Sequence, residues 1–316
     1  MLSHLFSTAP MLDYSDTHCR YFWRLFTPHA LLYTEMIHVN AILHGKKAHF
    51  LSYEPQEHPL ALQLGGHEPQ ALAQCAQYAQ DEGFDEVNLN VGCPSDRVQS
   101  GSFGACLMRE PERVAEGVAA MRAKVSIPVT VKTRIGVDQE DSYEFLSQFV
   151  SCVAEAGCEV FIIHARKAWL KGLSPKQNRD IPPLNYERVY QLKRDFPKLH
   201  FVLNGGIKDW DTAKLALVHL DGIMIGREAC ANPYFLAELE QQLYHTSLPT
   251  RRAILERYLD YIDLKLSNGV HHKKLLKPLM GLFHAQKDAR VWRGLLSQPD
   301  FSIELFRKFI LMNERI

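Results

Sequence analysis

The 316-residue sequence predicts an α/β fold, a (β/α)8 TIM barrel followed by a small all-helical C-terminal domain, on three observations. Eight short apolar runs recur along the first ~230 residues, and helix-like stretches separate them. Apolar strands alternating with helices mean a parallel sheet buried on both faces. Polar residues gather where the runs end, and in a barrel the strand C-termini form the face that carries active sites. Eight units predict a closed barrel better than an open doubly wound sheet.

The strands are expected, in order, at 4–11 (HLFSTAPM), 31–36 (LLYTEM), 60–66 (LALQLGG), 86–94 (EVNLNVGCP), 128–136 (PVTVKTRIG), 160–166 (VFIIHAR), 200–206 (HFVLNGG) and 221–228 (DGIMIGRE). PQALAQCAQYAQDEG and PERVAEGVAAMRAKV are typical of the helices between them, the second opening with Pro111 at a plausible first helical position. From Leu236 onward the pattern is helical throughout: LAELEQQLYH, RRAILERYLDYIDLKLSNG, HKKLLKPLMGLFHAQ, ARVWRGLLSQ and SIELFRKFILMNER, punctuated by Pro249 and Asn268-Gly269. The expected division is a barrel over 1–240 and a helical domain over 245–316.

Hydrophobic residues make up 46% and charged residues 23%, so a chain of this length can bury a large core without disulfides or metals. The seven cysteines are odd in number and form no C-x-x-C pair, which argues against a zinc site or a disulfide framework and for a reducing, cytoplasmic setting. The N-terminus is too short and polar for a signal peptide, and no apolar run approaches the ~18 residues of a membrane helix. The 36 basic and 36 acidic residues cancel, so any polyanion site must be a local basic patch.

Asn204-Gly205-Gly206 closes the seventh strand and Gly226-Arg227 the eighth. Barrels commonly bind a phosphate there, through backbone N–H groups and a helix N-terminus. A lone Gly-Gly is more often a tight turn, but two glycine turns on successive strands point to a phosphorylated cofactor. With no G-x-G-x-x-G after a strand, a dinucleotide unit is unsupported and FMN fits better. Lys132 ends the fifth strand and is suited to the flavin N1–O2 edge, Gln63 to the ring's amide edge, and His164 to phosphate or ring. Taken singly, Lys132 reads equally as a tip reaching solvent and His164 as a core histidine bonded to backbone.

The segment NLNVGCPSDRVQSGSFGACLM places Cys93 directly before Pro94, in a loop at the expected mouth. Cys19, Cys75, Cys152, Cys158 and Cys230 read as small buried hydrophobes, and Cys106 is open. The segments APM (9–11), QLGG (63–66), NVGCPS (90–95), VKTRIG (131–136), HAR (164–166), NGGI (204–207) and IGR (225–227) together resemble the tRNA-dihydrouridine synthases. They span the whole barrel in the right order. YTEM (33–36) and HARKAWLKGLSPKQNRDIPPL (164–184) resemble the bacterial A subfamily, which acts on uridines 20 and 20a of the D-loop.

That resemblance implies FMN contacts at Pro10, Met11, Gln63, Lys132, His164, Asn204, Gly205, Gly206, Gly226 and Arg227. It implies Cys93 as general acid, Asn90 as a contact to the substrate nucleotide, and tRNA contacts at Lys176, Arg179, Arg290 and Arg293. NADPH is the implied reductant. No metal and no obligate protein partner are expected. Reducing uracil C5=C6 needs a hydride on C6 and a proton on C5, and a thiol with an ordinary pKa of about 8.5 is protonated at neutral pH. The uridine must leave its stack to reach the barrel. Basic residues concentrate in RRAILER (251–257), HHKKLLK (271–277) and RVWR (290–293), where Lys273 and Lys277 would share a helix face. Trp292 reads more readily as helix packing than as RNA stacking. Two other readings are a barrel reductase of a free pyrimidine, resembling dihydroorotate dehydrogenase, and an RNA-binding relative without catalysis. The helical tail and the basic loop speak against the first, Cys93 and Lys132 against the second.

Overall fold

A computed structural model describes residues 2–95, 98, 101–298 and 302–312. Its strands are β1 Phe6–Thr8, β2 Leu32–His38, β3 Leu60–Gly65, β4 Glu86–Val91, β5 Val129–Arg134, β6 Val160–His164, β7 His200–Asn204 and β8 Gly222–Ile225. Neighbours in sequence pair in parallel from β2 to β8, and β8 pairs with β1. The ring closes between β1 and Leu31, just before β2. Thr8 N–H donates to the Leu31 carbonyl at 3.0 Å, and Leu31 N–H donates to the Phe6 carbonyl at 3.0 Å. All eight expected strands are present. Most stop short of their predicted C-terminal ends, because segments such as Gly92-Cys93-Pro94 and Gly205-Gly206 belong to the loops of the mouth.

Local chemistry fixes the intervening helices. Pro69–Asp81 and Pro111–Arg122 each begin on a proline, whose missing N–H is harmless in the first turn. Ser142, Asn185 and Asp209 cap Tyr143–Glu155, Tyr186–Asp195 and Trp210–His219 by accepting a first-turn N–H. The outward residues of β4 and β5, including Val87, Leu89, Val91, Val129 and Val131, pack with the apolar faces of these helices. Tyr33, Ala61, Ile162, Val202 and Met224 belong to a second cluster that fills the barrel itself.

Beyond the barrel lie helices Tyr234–Tyr244, Arg251–Ser267, His272–Leu276, Ala289–Leu296 and Ile303–Met312. The segment 272–286, expected as one helix, breaks at Pro278 into a 3-10 turn over Lys277–Gly281. Lys273 and Lys277 stay one helical turn apart, since the Lys277 N–H bonds the Lys273 carbonyl, but the Lys277 side chain is not left for RNA. The Lys277 ammonium instead donates to the Asp13 carbonyl and lies 4.4 Å from the centre of the Tyr14 ring, tying the helical region to the loop after β1. Tyr261 stacks on Tyr21 of helix Thr17–Arg24 at 3.9 Å, a second tie to the barrel. Trp292 is buried, donates to the Leu279 carbonyl at 2.8 Å and packs edge-on against Phe283, which rules out stacking on RNA. The end of the last predicted helix, 313–315, lies outside the described residues. No helix among the described residues is long and apolar enough to cross a membrane.

Candidate active site

Gln63, Asn90, Lys132, His164 and Asn204 stand at or near the C-terminal ends of five consecutive odd and even strands, and Cys93 follows β4 by two residues. Pro10 and Met11 follow β1, while Gly226 and Arg227 follow β8. The register sets Asn90 beside Lys132 and His164 beside Asn204. The barrel thus brings every residue implied for flavin and acid onto one face. A cavity of about 540 Å³ at the opposite end, lined by His4, Val129, Thr130, Val160 and Asp221, sits at strand N-termini, away from this chemistry.

The cysteine loop is held from three sides. Asn90 Oδ1 accepts the Gly92 and Cys93 N–H groups at 3.1 and 3.0 Å. The Cys93 carbonyl accepts the Ala105 N–H at 2.9 Å. Arg134, 3% exposed, donates to the carbonyls of Gly92, Lys167 and Asn178, locking this loop to the one after β6. Gly104 lies in the left-handed region at φ 76°, and a Cβ there would stand 2.5 Å from the Cys93 carbonyl oxygen. The Cys93 thiol, half-buried, reaches Ser95 Oγ at 3.5 Å. Cys106 donates to the Phe103 carbonyl. Cys19, Cys75 and Cys158 are buried as expected, whereas Cys152 and Cys230 are only partly so.

The mouth is electrostatically one-sided. Lys132 donates to Asn204 Oδ1 at 3.1 Å and forms no ion pair with a carboxylate among the described residues. Burial, reinforced by Arg134, lowers its pKa to about 7, and the nearby Cys93 opposes the shift. Burial also drives His164 well below its ordinary value, with Arg134, Lys132, Arg166 and Arg179 adding to it, so its imidazole is neutral at pH 7. Arg134 stays cationic although burial lowers it to about 10. A partly buried ammonium without a carboxylate, with the Arg134 guanidinium nearby, is a donor set that an anionic ligand completes.

The glycine turn after β7 has a structural reason of its own. Gly205 and Gly206 have φ of 109° and 75°, and added Cβ atoms would meet His164 Cδ2 at 2.6 Å and Leu184 Cδ1 at 2.5 Å. Gly226 is different: its nearest neighbours to an added Cβ are 3.9 Å away or more, which leaves its backbone open to a ligand. The helix after β8, Glu228–Ala231, is only one turn long. Arg227 pairs with Asp180 at 2.7 Å and donates to the Arg179 carbonyl, joining β8 to the loop after β6. Among the described residues these features fit a flavin mononucleotide: open backbone for phosphate, a lysine for the ring's electron-rich edge, and amides for its polar edge.

Lys176 and Arg179 are exposed on that loop, which Asn178 organises by bonding Trp169 and Leu173. Arg290 and Arg293 are exposed on helix Ala289–Leu296, either side of the buried Trp292, and form no ion pair among the described residues. Sequence reading missed Arg134, Gly104 and Asn178. The arginine inside VKTRIG, two residues beyond Lys132, was the signal for the first; nothing local marked the others.

A closed parallel barrel with a cation-lined mouth and a cysteine loop above it defines a barrel enzyme acting on an anionic ligand. The dihydrouridine synthase family profile matches residues 7–309, and the chain belongs to that family. It is 58% identical over 295 residues to the tRNA-dihydrouridine(20/20a) synthase of Vibrio cholerae, covering 92% of this chain and 90% of that one. It is 57% identical over 309 residues to the protein of the same name from Vibrio vulnificus, covering 96% and 94%. The Synechocystis protein of that name is 55% identical over 293 residues, covering 92% and 88%. Two solved structures share the fold: an old yellow enzyme homologue from Zymomonas mobilis and a 2-naphthoyl-CoA reductase complex. The first has TM-score 0.54 at 12% identity, covering 78% of this chain and 90% of that one. The second has TM-score 0.58 at 11% identity, covering 75% and 50%.

Proposed function

We propose that this chain reduces the C5=C6 bond of D-loop uridines 20 and 20a in tRNA, as an FMN-dependent, NAD(P)H-consuming oxidoreductase. The observation that carries the reading is Lys132, an amine without a carboxylate partner among the described residues, held by Asn204 Oδ1 at 3.1 Å on the barrel mouth and in register with Asn90, which holds the Cys93 loop. When bound at these residues, FMN would supply the hydride for C6. Lys132, held by Asn204, steadies negative charge at the ring edge. Gln63 and Asn90 present amides to the cofactor and to the flipped base. Gly226 offers backbone to the phosphate, with Pro10, Met11, His164, Gly205, Gly206 and Arg227 around it. Cys93 gives its proton to C5 as charge develops across C5, C4 and O4.

The barrel over 1–240 is the catalytic part in this reading, and the helical part over 245–316 grips the RNA. Lys176 and Arg179 meet phosphates beside the mouth, Arg290 and Arg293 farther away. The family's reaction also sets aside the free-pyrimidine alternative. Cofactor released from the purified protein should co-elute with FMN on chromatography; FAD, or no flavin after reconstitution, would contradict the site.

A further inference from the structure

The inside of the barrel carries one continuous chain of polar side chains. Glu86, Asn88 and Asn90 alternate along β4 with Val87, Leu89 and Val91, and β3 and β5 add Gln63 and Thr130 at matching register. All five are nine-tenths or more buried. The links run without a gap. Asn90 Nδ2 donates to Gln63 Oε1 at 2.8 Å, Gln63 Nε2 to Asn88 Oδ1 at 2.8 Å, Asn88 Nδ2 to Thr130 Oγ1 at 2.8 Å, and Thr130 to Glu86 Oε1 at 2.7 Å.

The direction of the chain is forced at both ends. At the mouth, the Gly92 and Cys93 N–H groups can only donate, so Asn90 must turn its oxygen to them and its nitrogen to Gln63. At the foot, Glu86 Oε1 also receives the Tyr33 hydroxyl at 2.5 Å, while Oε2 faces His4. Wherever a proton shared with His4 resides, Oε1 accepts. Burial, then the Glu86 charge, hold the Tyr33 phenol well above its ordinary pKa, so it stays a donor. Starting from either end gives the same orientation for all three amides.

We infer that Glu86, Thr130 and Asn88 are positioning residues, which fix the amides of Gln63 and Asn90 and thereby the Cys93 loop through one directional hydrogen-bond chain. This deepens the proposed function and rests on it for the roles of Gln63, Asn90 and Cys93. Without the chain, either amide can turn over by 180° at little steric cost, presenting the wrong group to flavin and base. Polarisation along linked bonds strengthens each link, so loss at the foot is felt at the mouth.

Thr130→Val tests this, because it removes the hydroxyl and keeps the shape. Thr130→Ser restores the hydroxyl, and Ile162→Val, in the apolar filling of the barrel, controls for a small cavity. Two readouts are taken. Amide hydrogen exchange of the peptide containing Gly92 and Cys93 should be faster in Thr130→Val, restored in Thr130→Ser and unchanged in Ile162→Val. With the holoenzyme saturated with FMN, kcat on tRNA should fall about ten- to a hundredfold in Thr130→Val, the cost of small misplacement, with smaller losses in FMN affinity and in KM for tRNA. Unaltered exchange in Thr130→Val overturns the inference whatever the activity. Equal loss of turnover in Thr130→Val and Ile162→Val, or no rescue by Thr130→Ser, overturns it too. Faster exchange in Thr130→Val, found together with a wild-type holoenzyme that cannot reduce tRNA, would instead overturn the proposed function and leave the chain's hold on the loop standing.

Discussion

Cys93 is a weak acid whose use depends on where its loop holds it. Asn90, Ala105 and Arg134 fix that loop by both its N–H and its C=O groups, so replacing the thiol removes chemistry and not architecture. Cys93→Ala should retain FMN and its reduction by NADPH, while turnover on tRNA falls by about 10²–10⁴-fold, the usual share of a general acid. Near wild-type dihydrouridine formation would remove Cys93 from the mechanism. Lys132 makes a pH prediction. Its pKa near 7 means that the free site holds a charged ammonium below that pH and a neutral amine above it. An anion favours the charged form, so binding takes up a proton as pH rises past about 7, and affinity falls. The advantage of wild type over Lys132→Met in binding reduced FMN, whose ring edge carries the negative charge, should therefore shrink as pH rises through 7. Equal advantage on both sides of pH 7 would show that the charge on Lys132 does not hold the ligand. Cys93 and Lys132 were legible in the sequence because each ends an apolar run, where barrel geometry leaves one destination. Arg134 was not, because a buried arginine that bonds three loop carbonyls looks in sequence like any charged strand end.

At the scale of the element, β4 and the loop after it carry most of the site. The alternation E-V-N-L-N-V is that of a strand with an apolar outer face and a polar inner one, yet a parallel barrel strand is expected to be apolar on both. That departure was visible in the sequence. What it built was not, because Gln63 and Thr130 come from other strands and their register is a tertiary fact. The 3-10 turn Gly104–Arg109 buttresses the loop, and Gly104 allows its backbone to approach the Cys93 carbonyl. Gly104→Ala forces both a left-handed alanine and a backbone clash, costing about 1–3 kcal/mol. We expect a folded, flavin-loaded protein with a lowered melting temperature and a larger loss in kcat on tRNA than in NADPH oxidation by a small flavin oxidant. Equal losses in both assays would mean that the turn serves the cofactor site and not the Cys93 loop. The helical region was read correctly as helices, but Pro278 was passed over as a break, and with it the commitment of Lys277 to the barrel.

The whole molecule is neutral, and its charge is distributed to suit a polyanion. Lys132, Arg134, Arg166, Arg179 and Arg227 surround the mouth, with Asp180 paired to Arg227. Zero net charge concealed this arrangement from composition, while the motifs along the chain disclosed Lys132, Arg179 and Arg227 and left Arg134 and Arg166 unread. If exposed cations on the helical region grip the RNA, replacing Arg290 and Arg293 together with alanine should weaken tRNA binding and flatten its dependence on salt, as fewer counterions are released. FMN content and NADPH oxidation with a small oxidant should not change. Wild-type binding and salt slope in that variant would move the grip elsewhere.

The account as a whole stands on one transfer, from reduced flavin at this mouth to a uridine of tRNA. It is tested most directly by reducing the holoenzyme anaerobically with NADPH, removing excess reductant, and mixing with tRNA that lacks dihydrouridine or, separately, with orotate. Rapid return of oxidised flavin absorbance with tRNA alone, accompanied by dihydrouridine at positions 20 and 20a, is the predicted result. Reoxidation by orotate, or a flavin that stays reduced in the presence of unmodified tRNA, would contradict it.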